Sequence, residues 1–180
     1  GSIPNDNPYI NNSDWLPQVF QIGVRNPQGM SLDPLTGNIY ISNHGPKGGD
    51  FIGSVLKSTN YGWKRVAWGG KNYSETKVGD GNAWEPGLLK PNHVWVPSIG
   101  VGGIKFYQGE VFPEWNNSLL VGSLKFHYLS VLPRVGEGFG KEQIIFENKI
   151  GRIRDIEINK EGEIYLIADE PNTALFKLTP

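Results

Sequence analysis

Residues 29–42 read GMSLDPLTGNIYIS, in which two runs of alternating apolar residues flank the turn residues Asp33 to Gly37. Alternation with a period of two is typical of a β-strand that buries one face. The Asp-Pro and Thr-Gly pairs favour a turn, because proline fixes φ and glycine leaves it free. This stretch therefore predicts two antiparallel strands joined by a tight turn.

The same order of strand, turn and hydrophobic strand recurs twice more, from Ile104 to Leu124 and from Ile153 to Ile167. No stretch sustains the apolar spacing of three and four residues that marks an amphipathic helix. A period of roughly 40–50 residues with several strands per copy is typical of propeller blades. We therefore expect an all-β chain, in which residues 1–180 cover about three to four blades of a β-propeller. Gly, Asn, Trp and Tyr interrupt the repeat between about residues 60 and 97, where we expect an irregular loop region.

The composition excludes several classes of function. The chain has 180 residues, 17 basic and 18 acidic, so no excess charge points to nucleic acid as a partner. It has no cysteine, which excludes a disulfide scaffold and thiolate metal sites. No apolar run approaches the roughly 18 residues that span a bilayer, so we expect no membrane insertion.

A glycine-rich stretch, His44-Gly45-Pro46-Lys47-Gly48-Gly49-Asp50, directly follows the strand that ends at Ser42. Its glycines allow backbone carbonyls to converge on a ligand, and carbonyl oxygens suit calcium. Glycines also mark ordinary turns, so a simple connection between strands explains the stretch equally well.

Cationic side chains stand beside strand ends in three separate copies of the repeat. Arg25 precedes the first strand pair, Lys125 ends a strand of the second copy, and Arg152 and Arg154 lie on one face of a strand in the third. Equivalent strand ends of a propeller emerge at the same end of its channel, which predicts that these cations meet. Two like charges on one strand require a shared anion or a nearby carboxylate, and Glu157 is the candidate within the chain.

Six motifs in one order resemble the soluble aldose sugar dehydrogenases that depend on pyrroloquinoline quinone (PQQ), the glucose/sorbosone dehydrogenase family. They are Arg25-Asn26-Pro27-Gln28-Gly29, His44-Gly45-Pro46-Lys47-Gly48-Gly49-Asp50, Asn60-Tyr61-Gly62-Trp63, Phe112-Pro113-Glu114-Trp115, Leu124-Lys125 and Arg152-Ile153-Arg154-Asp155. The resemblance implies a six-bladed propeller with PQQ over one end of its channel, of which this chain would be the C-terminal half.

The resemblance also implies a role for each position near the metal. Arg25 and Asn26 would contact the quinone oxygens, and His44 would lie beside the cofactor. The backbone carbonyls of Gly45 and Pro46 would bind calcium. Asp50 would support that site.

Further residues would hold the other side of the cofactor. Lys125 would meet the quinone, Arg152 and Arg154 would bind its carboxylates, and Trp95 would be an aromatic on the cofactor or substrate side. Two positions depart from the family pattern. The family usually has an arginine where this chain has Lys47, and an acidic residue where this chain has Phe51. The second departure removes a carboxylate near the predicted calcium.

The implied activity is the oxidation of aldose sugars at C1 by hydride transfer to PQQ, assisted by calcium and by Arg25. The general-base histidine of the family belongs to the N-terminal half, and no segment here matches its surroundings. The chain alone is therefore expected to be inactive, with the N-terminal half or a second copy as its partner. The family implies a periplasmic or secreted protein.

A different interpretation is a cofactor-free binding module that recognises carbohydrate or protein. Aromatic side chains of the loop region would supply its contacts, because aromatic faces pack well against ligands. The candidates are Trp63, Trp68, Trp84 and Trp95.

Overall fold

The computed structural model describes residues 1–180, which form thirteen β-strands and one 3₁₀ helix at Pro113–Trp115. The all-β prediction is confirmed. The strands are β1 (Pro27–Leu32), β2 (Ile39–Asn43), β3 (Asp50–Ser54), β4 (His93–Trp95), β5 (Val101–Phe106), β6 (Leu119–Ser123), β7 (Leu129–Leu132), β8 (Arg134–Val135), β9 (Gly138–Phe139), β10 (Gln143–Ile145), β11 (Ile153–Ile158), β12 (Ile164–Ala168) and β13 (Leu175–Lys177). No helix is long and apolar enough to cross a membrane.

Three antiparallel sheets follow one another along the chain. The first sheet has the order β1-β2-β3-β4, the second β5-β6-β7-β10, and the third β11-β12-β13. Strands β8 and β9 form a separate small hairpin that leaves the second sheet between β7 and β10. Four strands in chain order is the composition of a propeller blade, and the third sheet has one strand fewer. The number of blades in a complete ring stays a prediction.

The hairpin predicted at residues 29–42 is present. Leu32 pairs with Ile39 and Ser31 with Tyr40, and Gly37 adopts a φ of 72° in the connecting turn. The Asp33 carboxylate accepts hydrogen bonds from the Leu35 N–H at 3.0 Å and the Thr36 hydroxyl at 2.7 Å. These bonds fix the turn that sets the register of the first sheet.

Glycines bring the first strands of the three sheets close together. A Cβ added to Gly29 of β1 would lie 2.8 Å from the Ile104 backbone nitrogen of β5. A Cβ added to Gly102 of β5 would lie 2.6 Å from the Ile153 carbonyl oxygen of β11. Only glycine permits this approach, so the strand ends of all three sheets emerge near one another.

Two apolar cores hold the sheets together. Tyr40, Ile52, Val101, Phe106 and Leu132 belong to the core that joins the first and second sheets. The other core joins the second and third sheets and includes Tyr107, Leu120, Leu129, Ile153 and Leu166. Residues 60–97 are mostly irregular, and they end in β4, which completes the first sheet.

Candidate functional site

A glycine-rich loop, residues 44–49, connects β2 to β3 and is fixed by Asp50 at its end. The Asp50 side chain is 1% exposed. One carboxylate oxygen accepts the Gly45 N–H at 2.8 Å and the other accepts the Val101 N–H at 3.0 Å. Asp50 therefore fastens the loop to the second sheet, and its support of a calcium ion stays a prediction.

The loop folds so tightly that Gly45 admits no side chain. A Cβ there would lie 2.3 Å from the Gly48 carbonyl oxygen. The Pro46 carbonyl accepts no hydrogen bond within the chain, whereas the Gly45 carbonyl accepts one from Nη1 of Arg25 at 3.2 Å. No group of three His, Cys, Asp or Glu side chains converges as a metal site. Backbone oxygens are thus the main donors that the loop offers to a cation.

Arg25 contacts this loop through its guanidinium group. Its Nη1 lies 3.4 Å from the His44 carbonyl oxygen, and its guanidinium packs over the Trp63 ring at 5.4 Å from the centroid. The buried Asn43 side chain accepts the N–H groups of Arg25 at 2.9 Å and Asn26 at 2.8 Å. The sequence analysis missed Asn43, although an asparagine at a strand end beside a glycine-rich loop was a signal for such a role.

His44 turns its imidazole toward the second sheet. Its Nε2 lies 2.6 Å from the Val101 carbonyl oxygen. Because a carbonyl only accepts, Nε2 is the donor in this bond, and Nδ1 has no hydrogen-bond partner within the chain. His44 and Asp50 together tie the loop to both backbone groups of Val101.

Arg152 and Arg154 share one carboxylate, that of Asp169. Nη2 of Arg152 lies 3.2 Å and Nη2 of Arg154 lies 2.7 Å from its Oδ2 atom. The hydrogen bonds from Arg154 and then Arg152 hold the pKa of Asp169 below its usual value. A second carboxylate, that of Glu170, accepts the Arg152 backbone N–H at 3.2 Å, so Asp169 alone pairs with the two guanidinium groups.

The prediction that Glu157 would pair with these arginines was wrong. Glu157 forms its ion pair with Lys105, at 2.7 Å. The ladder between β11 and β12 shifts register between Ile153 and Asp155, and Ile153 pairs with Ala168. That pairing places Asp169, the next residue, beside the arginines, a tertiary relation that no local pattern in the sequence revealed.

Hydrogen bonds connect the arginines to the other two sheets. Nη1 of Arg154 donates to the Gln28 side-chain oxygen at 3.1 Å, and Gln28 in turn donates to the Asn26 side chain at 2.9 Å. Nη1 of Arg152 donates to the Leu124 carbonyl at 3.1 Å, next to Lys125. Lys125 is exposed, packs over the Phe126 ring and has no carboxylate partner.

These elements enclose a cleft of about 220 Å³ between the three sheets. Six of the residues that the sequence analysis singled out line it: His44, Gly45, Pro46, Asp50, Lys125 and Arg152. Lys47, Tyr73, Ser98, Gly100 and Leu124 complete the lining. The cationic groups at 125 and 152 therefore lie at the same rim, as predicted. Arg25 and Arg154 are not part of this lining, and Arg25 lines a separate pocket together with Trp63. The chemical roles of all these residues stay predictions.

Three aromatic residues lie elsewhere than in the cleft. Trp95 is 6% exposed, belongs to the core, and donates its Nε1–H to Glu142 at 3.0 Å, so it is not a wall of the cleft. Phe51 is buried against Tyr61 behind the loop, with ring centroids 4.8 Å apart. Trp84 lies under the ammonium group of Lys90. The aromatic residue that does face the cleft, Tyr73, was missed because it stands in a polar turn.

The sequence profile of the family described as Glucose / Sorbosone dehydrogenase matches residues 1–177. The aldose sugar dehydrogenase YliI of Escherichia coli is 35% identical over 181 residues, covering 100% of this chain and 48% of that protein. A crystal structure of glucose dehydrogenase aligns with a TM-score of 0.96 at 35% identity, over 100% of this chain and 52% of the other. The PQQ-bound aldose sugar dehydrogenase of Streptomyces coelicolor shares the fold, with a TM-score of 0.73 at 20% identity over 98% of this chain and 48% of the other. The chain spans about half the length of these relatives, and it belongs to the glucose/sorbosone dehydrogenase family.

Proposed function

We propose that this chain holds PQQ in the cleft between its three sheets, as the C-terminal half of a propeller enzyme that oxidises aldose sugars at C1. One observation carries the proposal: His44, Lys125 and Arg152, each at a strand end of a different sheet, line a single cleft. The family membership supports an oxidoreductase that acts on sugars.

The charges of the cleft suit a flat molecule with several carboxylates. Arg152 and Arg154 have only Asp169 between them, and Lys125 has no acidic partner. Guanidinium groups bind carboxylates through paired hydrogen bonds, and an ammonium group adds a compact point charge. An anionic guest would give Lys125 its counter-charge and would share the two guanidinium groups with Asp169.

The chain also offers part of a calcium site. Calcium takes roughly six to eight oxygen ligands, and the carbonyls of Gly45 and Pro46 are of the right kind. Both oxygens of Asp50 already accept backbone N–H groups, so this carboxylate supports the loop. In the proposal, the remaining oxygens come from the quinone and from water.

When bound, PQQ would accept the hydrogen and electrons from the sugar C1, and calcium would polarise the quinone. Arg25, held between Trp63 and the carbonyls of His44 and Gly45, would supply fixed positive charge next to the loop that carries the proposed metal ligands. Arg152 and Arg154 fix the orientation of the guest through its carboxylates, and Lys125 faces the same space. Nδ1 of His44, which has no partner in the chain, is available for a hydrogen bond with the guest beside the loop.

The proton of the sugar hydroxyl requires a general base, which we assign to the other half of the protein. This assignment makes that half, or a second copy of the chain, the partner, and it leaves the 180 residues alone without dehydrogenase activity. We further propose a periplasmic or secreted location, as in the family resemblance.

Tryptophan fluorescence tests the proposal, because the chain has six tryptophans and Trp63 lies beside Arg25. Adding PQQ with calcium is expected to quench this fluorescence saturably. The double variant Arg152→Ala/Arg154→Ala should weaken PQQ binding by at least about tenfold, since it removes two charge-assisted contacts. Lys105→Ala, which removes a cation paired with Glu157 outside the cleft, is the matched control and should bind normally. The absence of saturable quenching, both in this chain and after reconstitution with the other half, would end the redox assignment.

A further inference from the structure

A second hollow, of about 330 Å³, borders the glycine-rich loop outside the cleft. Its lining combines the cations Lys47 and Lys71, the carboxylate of Glu75, and the apolar side chains of Val96 and Pro97. Of the residues that line this hollow, only Lys47 also lines the cleft. The hollow is therefore a separate surface feature, and nothing in the proposed function uses it.

The glycine-rich loop is the thin wall between the hollow and the cleft. Gly45 lines the cleft and Gly48 lines the hollow, and a Cβ added to Gly45 would lie 2.3 Å from the Gly48 carbonyl oxygen. On the other side of Gly48, a Cβ added to Gly69 would lie 2.3 Å from the same oxygen. The wall thus consists of backbone segments in direct contact, so a molecule in the hollow comes close to a guest in the cleft.

The hollow has an apolar centre and a rim with more positive than negative charge. Val96 is 64% exposed at the centre. The ammonium groups of Lys47 and Lys71 share the carboxylate of Glu75. Lys77, which forms a bridge with Lys71 in the hairpin of residues 71–77, is exposed and has no acidic partner. An apolar centre inside a rim of one charge suits a protein partner whose matching face has the opposite charge.

Hydrogen bonds hold the hairpin that carries this charge. The Asn72 N–H donates to the Thr76 carbonyl at 2.8 Å, and the Asn72 side chain donates to the Lys77 carbonyl at 3.2 Å. The Lys47 N–H donates to the Lys71 carbonyl at 3.4 Å, which joins the hairpin to the glycine-rich loop. A partner would therefore meet charges on a backbone that is already ordered, which lowers the entropy cost of binding.

We propose that this hollow is the docking surface for a soluble electron-carrier protein with an acidic face, which takes the electrons that sugar oxidation delivers to the cleft. The inference rests on the proposed function. Each sugar oxidised at C1 gives up two electrons and two protons. Two molecules of a one-electron carrier must therefore each accept one electron in turn, while the two protons pass to solvent.

The position and the charge of the hollow both fit this role. The rate of electron transfer falls steeply as the distance between donor and acceptor grows, so a carrier must dock close to the cleft, and the hollow lies one loop away from it. Electron-transfer complexes bury little surface, under about 1,200 Å², which permits fast exchange of carriers. The lysines of the rim would attract an acidic carrier and raise its rate of association.

The experiment measures protein binding to the chain without cofactor, using the acidic haem protein cytochrome b5 as the probe and the basic cytochrome c as its counterpart. Calorimetry at an ionic strength of roughly 0.01 M should show saturable binding of cytochrome b5, and binding of cytochrome c at least about tenfold weaker. Raising the ionic strength to roughly 0.15 M should weaken cytochrome b5 binding at least about tenfold, because the Debye length shortens from about 30 Å to about 8 Å.

Charge reversal locates the surface. Lys71→Glu/Lys77→Glu should weaken cytochrome b5 binding at least about tenfold at low salt. Lys141→Glu/Lys160→Glu makes the same change of net charge at two exposed lysines outside both the hollow and the cleft. This control should stay within about twofold of the unsubstituted chain.

A second variant tests the apolar centre without changing any charge. Val96→Ser should weaken cytochrome b5 binding about three- to tenfold, since it removes apolar surface from the contact. Its affinity for PQQ with calcium, measured by fluorescence quenching, should stay within about twofold of the unsubstituted chain. In nuclear magnetic resonance spectra, the Gly48 and Gly69 amide signals should shift when cytochrome b5 is added.

The outcomes separate the two proposals. A chain that fails to bind PQQ contradicts the proposed function, whatever the cytochromes do. A chain that binds PQQ, but binds cytochrome b5 no more tightly than cytochrome c or not at all, overturns the docking surface alone. Equal affinity of Lys71→Glu/Lys77→Glu and its control for cytochrome b5 would overturn it as well.

Discussion

Nη1 of Arg134 lies 2.8 Å from Oδ2 of Asp33, and both side chains are buried. The same guanidinium donates to the Tyr40 hydroxyl at 3.2 Å and packs 5.7 Å from the centroid of that ring. Arg134 begins β8, whereas Asp33 opens the turn of the first hairpin, so the pair joins the small β8–β9 hairpin to the first sheet, at the end of that sheet opposite the glycine-rich loop. This buried pair should matter more for stability than any exposed ion pair of the chain.

Arg134→Ala would leave the Asp33 carboxylate buried without its counter-charge. Removing one partner of a buried pair costs about 3–5 kcal/mol, so the free energy of unfolding should fall by that order. Urea unfolding followed by circular dichroism measures the loss. Lys177→Ala, which breaks the exposed pair with Glu163, should cost less than about 1 kcal/mol, and an equal loss in both variants would contradict the argument.

The stability should also depend on Asp33 in acid. Burial raises the pKa of Asp33, but the Thr36 hydroxyl, the Leu35 N–H and Arg134 outweigh it, so the pKa lies below 3.8 in the folded state. A depressed pKa contributes stability that is present above the unfolded value and is lost as the pH falls through the folded value. Asp33→Asn should therefore be less stable than the unsubstituted chain at neutral pH, and the difference should narrow below pH 3.8. Unfolding titrations at several pH values measure it, and a constant difference would refute the assignment.

Calcium and PQQ should each strengthen the binding of the other. The chain offers two loop carbonyls, and one of them already accepts a hydrogen bond from Arg25. Calorimetry should therefore detect weak calcium binding to the chain alone, and binding at least about tenfold tighter when PQQ is present, because coupling between sites is reciprocal. Equal calcium affinity with and without PQQ would show that the two do not share a site.

Asp50→Asn tests the anchor of the loop with almost no change of shape. The side-chain amide cannot accept from both the Gly45 and the Val101 N–H groups, which leaves one buried donor unsatisfied. We expect a loss of about 1–3 kcal/mol in the free energy of unfolding together with weaker PQQ binding. Asp80→Asn, an exposed carboxyl with no partner in the chain, should change neither quantity.

Much of the architecture could be predicted because it is local. The hairpin at residues 29–42 follows from alternation and turn chemistry. The meeting of Lys125 with Arg152 follows from antiparallel order, because the end of a second strand and the start of a first strand lie at the same end of their sheets. Asn43 and Asp169 escaped prediction because their roles depend on which strands pair and in which register. Glu157 was assigned wrongly because its partner is Lys105 of β5, and a contact between two sheets cannot be read from the sequence of one strand.

The position of Trp95 could not be predicted from the sequence for a different reason. In β4, which pairs with β3, Trp95 stands opposite Asp50 and its side chain points into the core. This pairing ends a long irregular segment, and the sequence of that segment has no periodic pattern from which its path could be predicted. Tyr73 was overlooked in the same segment, because an aromatic residue among polar neighbours looks like ordinary surface until the fold places it over a cleft.

The glycines where the first strands of the sheets converge have a consequence for how this site could change over time. A Cβ added to Gly103 would lie 2.1 Å from the Asp155 carboxylate, and one added to Gly122 would lie 2.6 Å from the Ile153 carbonyl oxygen. The distance between neighbouring sheets is therefore set by contacts between backbones at these glycines. The cations around the cleft can be replaced without changing that distance. A larger residue at either glycine would force neighbouring strands apart. A homologue that keeps both glycines could replace the cations of the cleft, and so bind a different ligand, while the spacing of its sheets stays the same.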